Sequence, residues 1–332
     1  MNQERLRKSP NVAIVGSTSL IGKELRQMLE DRGWPVGRLA LLETEEYAGL
    51  LQEFAGDLQI TQVISPESLA DVDIAFFTCS PEIMQAYVAS GPKFPELTID
   101  LTQTGQPGTL FLHGTSAPAT LRRKGYYVNP HPAAIVLGRI LSGLHNTFVV
   151  QSAAVTILQP ASERANGGVD ELQQQTVDLL NFQQIENKIF QAQLAFNLLP
   201  EQETSAATEA RIAEQLAELL GATFPKPILT VVQAPVFHSH AFSIFVQLLK
   251  APTADELAEH LSRNPNFSND VTSGGPSPVG VVGTEAIHIG RVQRLASGDA
   301  HALWAVADNL RISASNAIQI AEQIMLAPAL EM

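Results

Sequence analysis

Cysteine is almost missing from this 332-residue sequence. Its one thiol, Cys79, cannot close an internal disulfide and cannot build a cysteine-based zinc cage. Basic residues are scarce as well: 21 Lys and Arg stand against 34 Asp and Glu, a formal charge of −13. Nucleic-acid binding needs clustered cations to displace phosphate counterions, so no nucleic acid is expected among the partners and the acidity reads as solubility. No apolar run is long enough to span a bilayer. AIVLG and VVQSAAVTIL are short and bounded by polar residues, so no membrane partner is expected. The opening MNQERLRKSP carries charges and a proline with no apolar stretch of signal-peptide length behind it, which makes the cytoplasm the expected compartment. Internal repeats and low-complexity tails are lacking too.

What the sequence does hold is a hydrophobic content of 45% and a mean hydropathy near zero, over a length that allows two domains with sizeable cores. NVAIVG, residues 11–16, is a β-branched run ending in glycine, and a helical pattern follows through Leu20, Ile21, Leu25 and Leu29 to a stop at Gly33. LALLE (39–43), DIAFFT (73–78) and LTID (97–100) read as further buried parallel strands, with PEIMQAYVASG as a helix between two of them. The fold class is therefore α/β, with a doubly wound parallel sheet first. A strand ends at Val128, Asn129 and Pro130 turn the chain, and Pro132 opens a helix whose apolar face runs Ile135, Ile140, Leu141 and Leu144. Beyond it, FVVQSAAVTIL, ILTVVQAPVF and AFSIFVQLL are longer strands suited to a mixed or antiparallel sheet, interleaved with helices such as GVDELQQQTVDLLN and EARIAEQLAELLG. Residues 262–280 read as a surface loop, and a last helix runs from about Ser313 to Ala327.

GSTSLIG places Gly16, Ser17, Thr18, Ser19, Leu20, Ile21 and Gly22 between a strand and a helix. There, backbone N–H groups and the helix dipole can meet a pyrophosphate. The middle position, where glycine lets a backbone approach phosphates, is Ser19, whose hydroxyl could still donate a hydrogen bond. The competing reading is a tight strand-to-helix turn that needs glycine for geometry alone. At the end of the next strand Glu43, Glu45 and Glu46 suit a free ribose 2′-hydroxyl and repel a 2′-phosphate, or else form a solvated acidic loop.

Taken together, VAIVGSTSLIGKEL, LLETEEYAG, VNPHPAAI, ILQPASERANGGVDEL, QLAFNLLP, VVQAPVFHSHA and VADNLR resemble the aspartate-semialdehyde dehydrogenase family, in its order and over almost the whole chain. QLAFNLLP, VVQAPVF and WAVADNLR resemble its divergent Usg-type homologues. The resemblance implies a Rossmann-like NAD(P)-binding domain over 8–131 and 313–332, and an α+β catalytic and dimerisation domain over 132–312. It also implies a homodimer. Family enzymes reduce aspartyl phosphate with NADPH through a cysteine thioester, which needs a thiolate at a helix start, a base, and cations for the substrate's anionic groups.

Several positions depart from that pattern. The cysteine position falls on Pro132, which has no nucleophile, while proline still suits the first helical turn. His131, one place earlier, is either a substitute nucleophile or a polar residue satisfying the turn. Cys79 reads as a buried inert thiol. The resemblance puts the catalytic base on His240, which is present. His238 and His240 are two apart on an expected strand, but a metal pair there has no recognisable third ligand, and no metal is expected. Asn129 and Gln233 fall on substrate-binding positions, Gln233 standing where the family has its carboxylate-clamping arginine. Gln106 falls near the phosphate-binding arginine. A neutral amide cannot replace a bidentate guanidinium at an anion. Gln159 keeps the glutamine that positions the intermediate, but the glycine-rich loop after it reads Ser162-Glu163-Arg164-Ala165. Glu46 stands in place of an arginine for the 2′-phosphate, and Asn316 aligns with a nicotinamide-contacting asparagine. NADP is disfavoured and NAD left open.

The resulting expectation is a homodimeric relative that has lost the thiol-dependent reaction and is retained as a binding or regulatory protein. The alternative is an active NAD(P)-dependent oxidoreductase that uses His240 without a cysteine. A third reading pairs the chain with an active paralogue through the shared dimer surface.

Overall fold

The computed structural model describes residues 9–116, 121–122, 124–200, 206–268 and 275–326. The chain divides into two compact units, one comprising residues up to His131 with those from Ser313 on, the other Pro132–Ile312.

In the first unit the chain runs β1 (Asn11–Val15), α1 (Leu20–Asp31), β2 (Arg38–Glu43), β3 (Leu51–Phe54), β4 (Asp57–Ile60), β5 (Gln62–Val63), β6 (Ile74–Phe77), α2 (Pro81–Ala89), β7 (Leu97–Asp100), β8 (Thr109–Leu110) and β9 (Gly125–Val128). Seven of these strands form one parallel sheet in the order β5-β2-β1-β6-β7-β9-β8. Such a sheet is covered on both faces, which is why its strands read as unbroken apolar runs. Val12 and Ile14 of β1 join Leu25, Met28 and Leu29 of α1 on one face, while Ala13 and Val15 join Phe77, Met84 and Tyr87 on the other. Strand order reverses at β1, flanked by β2 on one side and β6 on the other, so the turn after Val15 lies at the topological switch point where open α/β sheets bind ligands. The β3–β4 hairpin has no counterpart in the strand pattern expected from the sequence.

The second unit holds α3 (Pro132–Phe148), β10 (Val150–Gln159), α4 (Ala165–Leu180), β11 (Leu199–Pro200), α5 (Ala206–Leu220), β12 (Ile228–Gln233), β13 (His240–Leu248), α6 (Ala254–Ser262), β14 (Phe267–Ser268), β15 (Ile287–Arg294) and β16 (Ala300–Ala307). Its strands form a mixed sheet in the order β11-β12-β10-β13-β16-β15-β14. β10 runs parallel to β12 and antiparallel to β13, and β13 runs antiparallel to β16. One face of the central strands is buried, through Val155, Ile157, Phe242, Ile244 and Val246. The family-like α/β architecture expected from the sequence, a parallel Rossmann-like sheet followed by an α+β unit, is the one observed.

Boundaries differ from the sequence reading in three places. The strand expected through ILTVVQAPVF stops at Gln233. The surface loop expected over 262–280 contains the short β14, and its residues 269–274 lie outside those described. The last helix, α7 (Asn309–Leu326), starts four residues before Ser313. It starts there because the Asp308 carboxylate accepts the N–H groups of Leu310 (3.0 Å) and Arg311 (3.1 Å), the work of an N-cap. From Ala314 on, α7 packs its Ala317, Ile318 and Ala321 into the core shared with α1.

Candidate functional site

The glycine turn is shaped first by packing. Gly16 sits at φ +90°, and a Cβ on it would lie 2.4 Å from the Cys79 nitrogen and 2.8 Å from the Thr78 carbonyl carbon. A Cβ on Gly22 would lie 2.3 Å from the Gly16 carbonyl oxygen. The Thr78 hydroxyl donates to the carbonyls of Val15 (2.9 Å) and Gly16 (3.0 Å), tying the turn to the end of β6. Ser19 serves the turn itself. Its hydroxyl donates to the Gly16 carbonyl (2.7 Å) and accepts the Gly22 N–H (3.0 Å), capping α1. Leu20 and Ile21 form the first helical residues behind it.

Glu43, the last residue of β2, folds into this turn and is only 4% exposed. Its carboxylate accepts the Thr18 N–H at 2.5 Å and the Ser17 hydroxyl at 3.5 Å, and Gln52 donates to the Ser17 hydroxyl at 3.0 Å. Arg26 in turn donates to Gln52. Glu45 and Glu46 are exposed, so the reading of a solvated acidic loop holds for them and not for Glu43. Glu43 is thus the one of the three carboxylates that lies inside the turn.

Beyond β9, at the carboxyl end of the same parallel sheet, two of the expected ligand-contacting residues bond to each other. Asn129 and Asn316 are fully buried, and Asn316 donates to the Asn129 side-chain oxygen at 2.7 Å. Asn129 donates to the Ser313 hydroxyl (2.9 Å), while Asn316 donates to the Phe111 carbonyl (3.1 Å) and accepts the His113 N–H (3.0 Å). The two amides lock β9 to α7. Gln103, which sequence reasoning passed over, donates to the Asn129 carbonyl at 2.8 Å, whereas Gln106 lies half-buried further along that loop. His131 is buried at the end of this unit. Cys79 is buried beyond β6, and burial first, then the charges of Asp100 and Glu43, push its thiol up to about 12.

In the second unit three side chains form a row. β10 and β12 pair with Gln159 opposite Gln233, and β10 and β13 pair with Leu158 opposite Ala241, which brings Gln159 level with His240. All three lie on the covered face, together with Ile157, Val231 and Phe242 two residues away along each strand. Gln233 donates to the Gln159 backbone carbonyl (2.9 Å), and Gln159 donates to the Gln233 side-chain oxygen (3.3 Å). His240, 1% exposed, has its Nε2 3.9 Å from the Glu163 carboxylate. Asn309 orients that carboxylate with a 2.9 Å hydrogen bond, donates to the Ser162 hydroxyl (3.0 Å) and accepts the Ser239 N–H (3.0 Å). The Glu163 contact was not foreseen, because a glutamate in a loop gives no sign of which strand it will face.

The expectation that His238 and His240 share one strand face is corrected here. β13 begins at His240, and Ser239 stands at φ +75°, which breaks the alternation and leaves His238 half-exposed outside the strand. Among the described residues no group of three potential ligands could hold a metal. Pro132 is the first residue of α3, as its missing N–H and fixed φ allow. Ala165 adopts φ +54° and ψ −155°, a conformation otherwise open to glycine alone.

Comparison with known proteins follows the same division. A family model described as "Semialdehyde dehydrogenase, NAD binding domain" matches residues 11–104, and one described as "Semialdehyde dehydrogenase, dimerisation domain" matches 141–312. The chain is 28% identical to an aspartate-semialdehyde dehydrogenase of Rickettsia conorii, over 96% of this chain and 98% of that protein. It is 30% identical to a USG-1 protein homolog of Azotobacter vinelandii, over 95% and 97%. Among solved structures it superposes on aspartate semialdehyde dehydrogenase II from Vibrio cholerae, complexed with ASA, with a TM-score of 0.87 at 26% identity, covering 96% of this chain and 98% of that one. A probable aspartate-semialdehyde dehydrogenase from Pseudomonas aeruginosa gives 0.85 at 28% identity, covering 95% and 98%.

Two outcomes follow from this geometry. Ala165→Gly is expected to raise stability by about 1 kcal/mol, read as a higher urea midpoint, because it relieves a backbone conformation that costs an alanine roughly 1–3 kcal/mol; an unchanged or lower midpoint would contradict the strain. The Cys79 thiol keeps its proton in the folded chain far above its ordinary value of 9.0. As pH rises, the unfolded chain loses that proton first, so the contribution is full below about 9 and declines toward about 12. Urea midpoints measured from neutral pH upward are expected to fall less steeply for Cys79→Ala than for the native chain.

Proposed function

The chain belongs to the semialdehyde dehydrogenase family, and from that premise we propose that it is a homodimeric, aspartate-semialdehyde dehydrogenase-like protein that does not run the thiol-dependent reduction of aspartyl phosphate and serves in the cytoplasm as a binding or regulatory protein. One observation carries this reading. Pro132, where the family resemblance puts the nucleophilic cysteine, opens α3, and the only cysteine, Cys79, is a buried neutral thiol at the end of another strand. A thiolate is the attacking species in that chemistry, and proline has no atom that can take its place. Gln233 adds to the argument, since its amide is spent on Gln159 and carries no charge for a carboxylate. The homodimer is supported by the match to a dimerisation domain and by exposed apolar side chains on the second unit, among them Leu180, Phe182, Phe196 and Leu198.

A second reading, an oxidoreductase that needs no thiol, is favoured by His240 beside Glu163 and by the Gly16–Gly22 turn. A bound nicotinamide dinucleotide would supply or accept hydride. The chain's own part would be to hold or move a proton at His240 Nε2, 3.9 Å from the Glu163 carboxylate.

Purified protein given aspartate semialdehyde, phosphate and NADP is expected to form no NADPH above a protein-free control. Turnover that follows the protein through purification and disappears in His240→Ala would overturn the leading reading. In calorimetric titrations NADP is expected to bind at least roughly tenfold more weakly than NAD, because its 2′-phosphate meets the Glu43 carboxylate. Equal affinities would remove Glu43 from the ribose.

A further inference from the structure

The row Gln233–Gln159–His240 contains a buried acceptor with nothing to accept. Gln233 fixes its own Nε2 on the Gln159 backbone carbonyl, which turns its side-chain oxygen toward the Gln159 amide. Gln159 must therefore present Nε2 to Gln233, and its Oε1 must look away. That oxygen has no hydrogen-bond partner, although the residue is 4% exposed. The Ser239 hydroxyl, completely buried one residue before His240, has none either. An unmet buried acceptor costs about 1–3 kcal/mol, so a fold that keeps one points to a donor supplied from outside the chain.

The electrostatics around this orphan are those of a carboxylate. Glu163 stands 3.9 Å from His240 and is held by Asn309, and apart from His240 none of the side chains around it, Gln159, Gln233, Ser162, Ser239 and Asn309, can carry a positive charge. Of the nearby arginines along the chain, Arg164 is exposed and Arg311 is already engaged. An anion brought to this row would face an acceptor oxygen of Gln159 and the negative charge of Glu163, whereas a protonated amine can donate to the first and is attracted by the second.

We propose that the Gln159–Gln233–His240 row, with Glu163, is a binding site for a small ligand that carries an ammonium group, and that it discriminates against carboxylates and phosphates. The site accepts hydrogen bonds from the ligand at Gln159 Oε1 and balances its charge on Glu163. This inference rests on the reading that the chain does not process aspartyl phosphate, and it names the ligand class of the binding role proposed above.

Three four-carbon alcohols that differ only at one end provide the test: 4-aminobutan-1-ol, butane-1,4-diol and 4-hydroxybutyrate, each titrated into the intact protein by calorimetry at neutral pH. The amine is expected to bind at least roughly tenfold more tightly than the acid, with the diol between them. Glu163→Gln is expected to level that order, and Gln159→Leu to weaken both amine and diol. Acid binding as tightly as amine, no binding by any of the three at millimolar concentration, or an order that survives Glu163→Gln would each overturn the proposal. The native-chain comparison stands even where a variant fails to fold. Turnover of aspartate semialdehyde would sink the underlying reading, whereas absent turnover with no amine preference would sink this inference alone.

Discussion

Space at the end of β1 is the constraint on which the first unit rests. The backbone of Thr78 and Cys79 passes so close to Gly16 that no side chain fits there, and the Gly16 carbonyl leaves none for Gly22. A turn this tight lets α1 start directly beyond β1 and lets Val12 and Ile14 share a core with Leu25, Met28 and Leu29. The same closeness explains why glycines survive here whether or not a phosphate is bound, since packing alone would eliminate any larger residue. Glu43 is the polar group that the turn carries inside, at a hydration cost offset by the Thr18 N–H.

In the second unit the backbone path is set by packing. Ala165 takes the dihedral angles of a glycine, so the path of the loop after Gln159 is dictated by its surroundings more than by its own residues. Along that path Glu163 arrives beside His240, and Asn309 ties the carboxylate to Ser162 and Ser239. Strand register aligns Gln233, Gln159 and His240 in one row. Fold and reaction are separable for this reason: strand register is held by many apolar contacts, whereas a reaction depends on a few side-chain atoms. The semialdehyde dehydrogenase fold of this chain therefore does not by itself fix its chemistry.

The sequence by itself determined the elements whose signal is local and repeated. The apolar runs of β1, β2, β6 and β7, the proline start of α3 and the glycine that ends α5 at Gly221 were all legible, because periodicity and fixed φ need no neighbours to be read. Only the tertiary structure decided where side chains distant in sequence meet. It buried Glu43 in the turn and left Glu45 and Glu46 outside, spent Asn129 and Asn316 on each other, broke the supposed His238–His240 pair at Ser239, and set Glu163 against His240. Those outcomes follow from strand order and register, which are fixed by the packing of residues far apart along the chain, and no local pattern encodes them.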